Sequence, residues 1–503
     1  MKMNNIKSLL LLGATVLSVA CSSDFLETEP TSRVPGDRQN ELMLEDPARI
    51  AATISGAYAT LFCGTPLIQS TDDRGMTSYQ VVADMLGDDM MNIMNGGPNY
   101  AYDMQLIFRM AGYRRPVSMW RQFYYIISTV NGAIGVLKSG EGTSDEIDSM
   151  LGQALALRAY SYYWLINFWQ HPYSVDPEAK GVPLYLDDAT KNVLDRGTVA
   201  GVYAVIDQDL KDACRLLKDK AVSKTQISEY TAAGMYANAL MFLGRYSEAA
   251  SYAEHAVQGG TLATTDLLSG FNSLQMSEVL FGFNMTVDWN MIYASFMSMM
   301  NPYVDGYAVP GYYPITATGN LVDHINPNDI RKNWFGYKDE LNTNGFSFAI
   351  VQALGCMDYV PNKFLSPNDF TADLIYFRVA EFYFVAAEAY YLMGGHEADA
   401  RRMLNAVMSK RITGYDCSNL SGQALYDEIC FQKRVEMWGE GRRIFDAKRR
   451  NENFDRSKSA YYPAALNSYD AVKYSARDQR LIYQIPTIEM DNNEYIKPED
   501  QNE

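Results

Sequence analysis

Apolar residues recur at helical spacing through most of this chain. Between 46 and 62, Ile50, Ile54, Ala57, Tyr58 and Leu61 fall at i, i+4, i+7, i+8 and i+11, one face of a helix. The period returns over 117–139 and 144–170. The second of these opens at Ser144, a natural N-cap, with Asp145 and Glu146 where the helix dipole favours acids. His171-Pro172 ends it. Residues 198–218 form another helix, capped by Thr198 after Gly197, and 228–258 read as two helices broken at Gly244-Arg245. Residues 373–411 read as a further hairpin turning at Gly394-Gly395, and 422–449 as a final helical segment. Two stretches lose the period, at about 64–116 and 261–370, where Gly, Asn, Asp and aromatic residues dominate. Long irregular stretches in compact proteins are usually functional.

The two hairpins resemble tetratricopeptide repeats. Ala237, Ala249 and Ala256 stand where that design wants small residues, so that paired helices cross closely. Ala400 lies five beyond Gly395, as Ala249 does beyond Gly244. The pattern therefore predicts a mostly α fold: a tetratricopeptide-type helical-hairpin scaffold with long irregular loop insertions and minor β. A scaffold that holds loops in place commonly puts binding in the loops.

The first residues follow another pattern. Lys2 and Lys7 precede an uncharged, mostly apolar run from Ser8 to Ala20, and Cys21 follows at once. This is the charged, apolar and small-residue order of a secretory signal. The run falls short of the ~20 apolar residues that a membrane-spanning helix needs. Leu17-Ser18-Val19-Ala20-Cys21 resembles a lipobox, with Ser18 where a larger aliphatic residue is usual. Residues 1–20 are read as a lipoprotein signal peptide and Cys21 as the lipidated residue, palmitate among its acyl chains. Residues 21–45 are read as anchor and tether, and 46–503 as a single helical-repeat domain. Each buried CH₂ of an acyl chain contributes ~0.8 kcal/mol, so several chains hold a protein on a membrane.

Composition narrows the function. The net charge of −17 repels nucleic acid, so nucleic-acid binding is excluded. Loss of Lys2 and Lys7 with a signal peptide leaves the rest more acidic still. Tyrosine is the outlier, with 36 Tyr beside 21 Phe and 6 Trp. Its ring offers an apolar face and a hydroxyl that stays wet. Beyond Cys21, the five cysteines Cys63, Cys214, Cys356, Cys417 and Cys430 form no CxxC, and neither a zinc site nor a disulfide framework is signalled.

No catalytic motif stands out. The four histidines are scattered, with no HExxH, no phosphate loop and no GxSxG elbow. Glu436, Glu440, Arg442, Arg443 and Asp446 cluster at helical spacing, and two carboxylates flanking a bond would suit a glycosidase. Helix-end ion pairing within the scaffold is the preferred reading. No cofactor is expected. Asp84, Asp88 and Asp89 are expected to organise the first loop or to hold a structural Ca²⁺ through oxygen ligands.

Sugar rings lie flat on aromatic side chains while their hydroxyls bond planar polar groups. Residues 283–313 interleave both kinds, and the candidates there are Trp289, Asn290, Tyr293, Tyr303, Asp305, Tyr307 and Tyr312. The earlier stretch adds Arg74, Asn99 and Tyr100, with Asp72, Asp73, Tyr79 and Asn92 beside them. Trp289 with Ile292, Tyr293 and Phe296 also fits a buried helical face, and both readings stand.

Several stretches carry a family resemblance. These are the start Cys21-Ser-Ser-Asp-Phe-Leu-Glu-Thr-Glu-Pro30, the segment LGQALALRAYSYYWLINFWQHPYSVDPEAKGVPL at 151–184, RVAEFYFVAAEAYYLMGGHEADARRMLNAVMSKR at 378–411 and EICFQKRVEMWGEGRRIFDAKR at 428–449. The tail Arg480-Leu-Ile-Tyr-Gln-Ile-Pro486 looks like a closing strand. In this order they resemble the SusD/RagB family of outer-membrane nutrient-binding lipoproteins. Gln153 and Lys433 stand where that family usually has Glu. The resemblance implies a lipid-anchored, surface-exposed outer-membrane protein without covalent chemistry. Such a protein captures a glycan and passes it to a SusC-like TonB-dependent transporter. It also implies ligand-holding loops in comparable parts of the chain. A peptide or other nutrient in the same architecture, a surface enzyme and a lid without its own ligand are the alternatives.

Overall fold

The computed structural model describes residues 47–64, 70–93, 99–139, 144–289, 295–308, 314–339, 346–459 and 465–503. Cys21 and the rest of 1–46 lie outside the described residues, as do Asn290, Tyr293 and Tyr312. Helix α1 spans Pro47–Cys63 and buries Ile54, Ala57, Tyr58 and Leu61, as its period predicts. Helix α2 spans Gly75–Met85. A linear array then begins with α3 (Arg114–Ser139), α4 (Asp145–Trp169), α5 (Val199–Leu217), α6 (Glu229–Phe242) and α7 (Tyr246–Ala256). It continues, after a long excursion, with α8 (Val379–Met393), α9 (Glu397–Met408) and α10 (Gly422–Glu436), and α11 spans Arg443–Arg450. From α3 to α9 each helix of the array packs on the next. Residues 51–503 form one compact unit.

Local chemistry sets the helix ends. The Ser144 hydroxyl accepts from the Ile147 N–H (3.2 Å) and three acids fill the first turn of α4. The Thr198 hydroxyl accepts from the Gly201 N–H at the start of α5 (3.0 Å). Helix α4 is apolar nearly all round and is buried nearly all round, between α3 and α5. Ala237, Ala249, Ala256 and Ala400 are fully buried at the helix crossings where small residues are expected. In sequence the two repeat-like hairpins are separated by more than a hundred residues, yet α7 packs directly on α8.

Among the described residues there are three antiparallel ribbons, and one of them makes this possible. β2 (Val279–Phe283) pairs with β4 (Leu374–Arg378), with Phe283 opposite Leu374. The pair closes the base of the 284–373 excursion and leaves the array unbroken. β1 (Met90–Asn92) pairs with β3 (Ile315–Ala317), joining the first irregular stretch to the second. β5 (Asn453–Asp455) pairs with β6 (Lys473–Ser475) near the C-terminus.

Four sequence expectations change. The 64–116 stretch, read as irregular, contains α2, every residue of which is buried. Its polar residues Thr77, Ser78, Gln80 and Asp84 hide the helical stripe because they pair inside the protein. Residues 374–378, assigned to a helix, form β4. The 422–449 helix breaks after Glu436, where Gly439 and Gly441 take φ of +79° and +74°. A Cβ on Gly441 would lie 2.6 Å from the Gln80 Cα, so this glycine is also what lets α2 approach. The tail at 480–486 is not a strand: Tyr483 N–H bonds the Phe168 carbonyl (2.8 Å) and Gln484 N–H the Arg109 carbonyl (2.9 Å), but no ladder forms. Among the described residues no helix is long and apolar enough to cross a membrane.

Candidate ligand-binding surface

Two kinds of cluster compete for a functional reading. The first is charged. Arg378, at the junction of β4 and α8, bonds Glu436 (2.6 Å), Glu440 (2.7 Å) and Glu278 (2.8 Å). Arg411 bonds Glu278 (2.6 Å) and Glu436 (2.8 Å), Arg331 bonds Asp329 (2.6 Å) and Glu436 (3.0 Å), and Lys363 bonds Glu440 (2.6 Å). Every one of these side chains is at most 4% exposed. Burial alone raises the Glu436 pKa, but Arg411, Arg378 and Arg331 outweigh it and hold the carboxyl well below its ordinary range. With four carboxylates against four cations and no opening to solvent, the network supplies neither an acid nor a base to a substrate. It is more than the helix-end pairing the sequence suggests: it ties the 284–373 excursion to Arg411, just after α9, and to the end of α10.

The aspartates of the first stretch behave similarly. Asp88 bonds the Arg443 Nε (2.9 Å), Asp89 the Arg434 Nε (2.9 Å), and Asp84 accepts the N–H groups of Gly441 and Arg443 (3.1 Å each). They organise the loop, as one expectation had it. The Ca²⁺ alternative fails on this geometry, because guanidinium and amide groups occupy the oxygens a cation would need. Asp72, Asp73 and Asp103 surround the fully buried Arg115, and Arg114 reaches Asp72 (2.8 Å) and Asp73. With three carboxylates to two guanidiniums, burial pushes Asp73 up to about 6.

This second ion cluster explains why Asn99 and Tyr100 are not on the surface. Tyr100 is buried, in left-handed backbone (φ +57°), with its ring 5.4 Å from the Arg115 guanidinium. The buried Asn99 accepts the Thr71 hydroxyl (3.1 Å). Both fasten the loop rather than face a ligand; Tyr79 and Asn92 are buried with them. Arg74 is half-buried, and its backbone N–H donates to the Ser78 hydroxyl (3.1 Å) at the start of α2.

The second kind of cluster is aromatic. Trp289 ends a short 3-10 turn, Val287–Trp289, and is 45% exposed, with Val287 76% exposed beside it. Its ring stands edge-on to Phe283 of β2 (5.8 Å between centroids, 85°). The buried-face alternative for Trp289 is thereby set aside. Asp373 holds this turn at its root: one carboxylate oxygen accepts from the Asn284 side chain (2.9 Å) and the Met285 N–H (3.1 Å), the other from the Leu274 N–H (2.9 Å). Thus a single side chain next to β4 fixes the exit from β2, and an exposed tryptophan is presented on a braced turn.

Other candidates divide. Asp305 is exposed and Tyr307 half-buried. The Tyr307 N–H donates to the Ser298 hydroxyl (3.0 Å), which lies so close that a Cβ on Gly306 would meet it at 2.8 Å. Tyr303 leaves the surface: it packs with Val351, Cys356 and Val360, and its hydroxyl bonds Asn362. The alternation of aromatic and polar residues does not reveal this burial, because the Tyr303 hydroxyl finds its partner inside.

Sequence reasoning missed three features. Tyr337 and Phe348, both half-buried, continue from Tyr303 toward the outside (5.9 and 5.6 Å between successive centroids). Tyr102 and Tyr113, 39% and 43% exposed, stand edge-on to Phe108 (5.4 Å each), with the Arg114 guanidinium over its face. The spacing of these tyrosines around Phe108, just ahead of Arg114-Arg115, is a readable signal. Asp373, the brace under Trp289, carries no signal at all in the sequence. Among the described residues no group of three or more His, Cys, Asp or Glu side chains is arranged to hold a metal ion.

Comparison with known proteins adds to this geometry. A family profile described as "Starch-binding associating with outer membrane", of the SusD-like type, matches residues 24–241. A second, for the SusD family, matches residues 337–503. The SusD-like protein P2 of Formosa agariphila is 26% identical over 242 residues, covering 48% of this chain and 43% of that protein. A SusD superfamily protein from Bacteroides thetaiotaomicron superposes with a TM-score of 0.77 at 23% identity, over 92% of this chain and 99% of that one. A SusD-like carbohydrate binding protein from Bacteroides vulgatus superposes with a TM-score of 0.74 at 21% identity, over 91% and 98% of the two chains. The surface glycan-binding protein A of Bacteroides thetaiotaomicron, solved with laminarihexaose, does so with a TM-score of 0.63 at 17% identity, over 90% and 99%.

Proposed function

The chain belongs to the SusD/RagB family, and from that premise we propose that it captures a glycan at the cell surface and does no covalent chemistry on it. The observation that carries this reading is Trp289, an exposed indole on a turn braced by Asp373. A flat ring held in place meets the C–H face of a sugar at little conformational cost. Asp305 and half-buried Tyr307, in the same excursion, supply polar partners. The family description of starch binding at the outer membrane, and the laminarihexaose bound by one structural relative, support the ligand class. The sealed carboxylates of Glu436 and Glu440 argue against hydrolysis, which needs groups that reach the bond. Asn290, Tyr293 and Tyr312 remain candidate contacts, outside the described residues.

In the same reading Cys21 carries the acyl chains that hold the protein at the outer membrane, residues 21–45 form the tether, and a SusC-like TonB-dependent transporter receives the glycan. The chain from residue 22 onward should be retarded in gels containing a polysaccharide from a panel that includes starch and laminarin. Trp289→Ala should weaken the interaction about tenfold, a loss of about 1.4 kcal/mol, with an unchanged melting temperature. Full migration in every gel, confirmed by calorimetry without binding heat, would overturn the glycan reading.

A further inference from the structure

A cleft of about 530 Å³ opens between α10 and the segment that follows β3, and its lining includes no residue named for the aromatic surface. Its size lies within the range of small-molecule sites. Asn320, His324 and Asn326 form one wall; Tyr415, Phe431 and Arg434 form the other.

The electrostatics of this cleft select a ligand class. Arg434 spends its Nε (2.9 Å) and Nη2 (2.5 Å) on Asp89, so its charge is neutralised. Its Nη1 edge has no protein acceptor among the described residues and retains two N–H donors. Glu428, also in the lining, accepts from the Tyr415 hydroxyl (2.8 Å) and the Gln432 amide (3.0 Å). Both donors are neutral and both reach Oε1, so the Glu428 carboxylate keeps its negative charge beside the cleft and disfavours an anionic ligand. Among the described residues, the groups left open are Arg434 Nη1, the Asn326 Nδ2, the Asn320 side-chain carbonyl oxygen, Glu428 Oε2 and the exposed His324 imidazole. The half-buried Phe431 and Tyr415 add aromatic surface. Aromatic faces beside planar donors and a carboxylate acceptor fit a neutral polyhydroxy ring, whose hydroxyls both donate and accept. The rigidity is also suitable, since Arg434 and Phe431 sit on α10 and Asn320 follows directly from the β1–β3 ribbon.

We propose that this cleft is a second saccharide site, holding one neutral sugar unit; the proposal rests on the glycan reading above. A protein with two separate sugar sites holds a polysaccharide more firmly than an oligosaccharide that reaches only one.

The test is a footprint of His324. The chain from residue 22 onward is treated with diethyl pyrocarbonate with and without laminarihexaose or maltohexaose, and modified peptides are quantified by mass spectrometry. Exposed His396, on the turn before α9, is the internal control. At a sugar concentration of about four times Kd, His324 modification should slow about fivefold by mass action while that of His396 stays constant. Asn326→Ala and Phe431→Ala should each abolish the protection, and Trp289→Ala should leave it. The exposed Asn326 keeps the test valid if Phe431→Ala fails to fold. Calorimetric binding of either sugar with His324 unprotected overturns the second site and leaves the glycan reading intact. Protection lost in Trp289→Ala overturns it as well. Absence of binding heat with either hexasaccharide and with every polysaccharide of the panel overturns both.

Discussion

The segment 428–450 is rich in charge and is mostly buried; the turn at 287–289 exposes two apolar side chains, Val287 and Trp289. Each inverts the usual distribution of side chains, and for different reasons. Burying a charge is tolerable only when partners and hydrogen bonds compensate its lost hydration. Arg378, Glu436 and their neighbours meet that condition almost completely, with ion pairs of 2.6–3.0 Å from several elements. Exposing an indole has no such compensation within the fold, so the cost persists until something covers the ring. The residues that make the family recognisable in sequence, Arg378, Glu381, Glu436, Glu440, Gly441 and Arg443, lie in the charged core. Those that carry the proposed ligand contact lie in an excursion without a motif. What is legible as family is therefore the assembly of the scaffold, not the choice of ligand.

This contrast can be broken first at Arg378. Arg378→Ala leaves Glu278, Glu436 and Glu440 with fewer cations in a closed interior, and should destabilise the protein by about 3–5 kcal/mol, measured by urea unfolding. If Arg378→Ala unfolds normally and loses only glycan retention, the network is functional and the contrast fails.

A smaller effect follows from Asp446. Burial raises its pKa, but Lys433, Arg450 and Arg449 outweigh that and bring the carboxyl to about 2. Its folded value is thus below the ordinary aspartate value of ~3.9. The stability it contributes is fully present above pH ~4 and is lost as pH falls through about 2. Asp446→Asn should therefore lower stability at pH 7 by about 2–3 kcal/mol. It should also flatten the acid limb of the stability curve below pH ~4. An unchanged acid limb would mean that the ion pairs to Lys433 and Arg449 contribute nothing.

The finest comparison sets two aromatics of one excursion against each other. Tyr303→Phe removes a buried hydroxyl that bonds Asn362 and accepts the Lys338 N–H (3.2 Å). It should cost about 1–2 kcal/mol of stability and leave binding by the folded protein unchanged. Trp289→Ala should do the reverse, with stability within about 0.5 kcal/mol, the usual range for a surface substitution. Equal effects of the two variants on binding would remove the distinction between core and surface in this excursion.

The helical array was largely readable in advance. Ser144, Thr198, the buried alanines and the break at Gly244 act through local geometry, which a sequence displays. The buried helix α2 was not, because its Thr, Ser, Gln and Asp residues imitate a loop while pairing in the interior. Of the proposed contacts, Trp289 and Asp305 reach solvent and Tyr307 does so partly, whereas Tyr303, Asn99 and Tyr100 are interior. An aromatic–polar alternation cannot separate these cases: a tyrosine or asparagine bonds equally well to a sugar, to water or to another residue inside the protein.

By itself the sequence determined the fold class, the helix boundaries set by caps and glycines, and the family, since each depends on residues near one another in the chain or on motifs in a fixed order. Tertiary structure alone decided which polar residues pair with one another and which remain for a ligand. The partners of Arg378 lie 58–100 positions away, those of Asp84 and Asp89 more than 340, and Asp373 reaches back about 90 residues to brace the turn beneath Trp289. Hydrogen-bond satisfaction is a property of three-dimensional neighbours, and so is the exposure that makes an aromatic ring a binding surface.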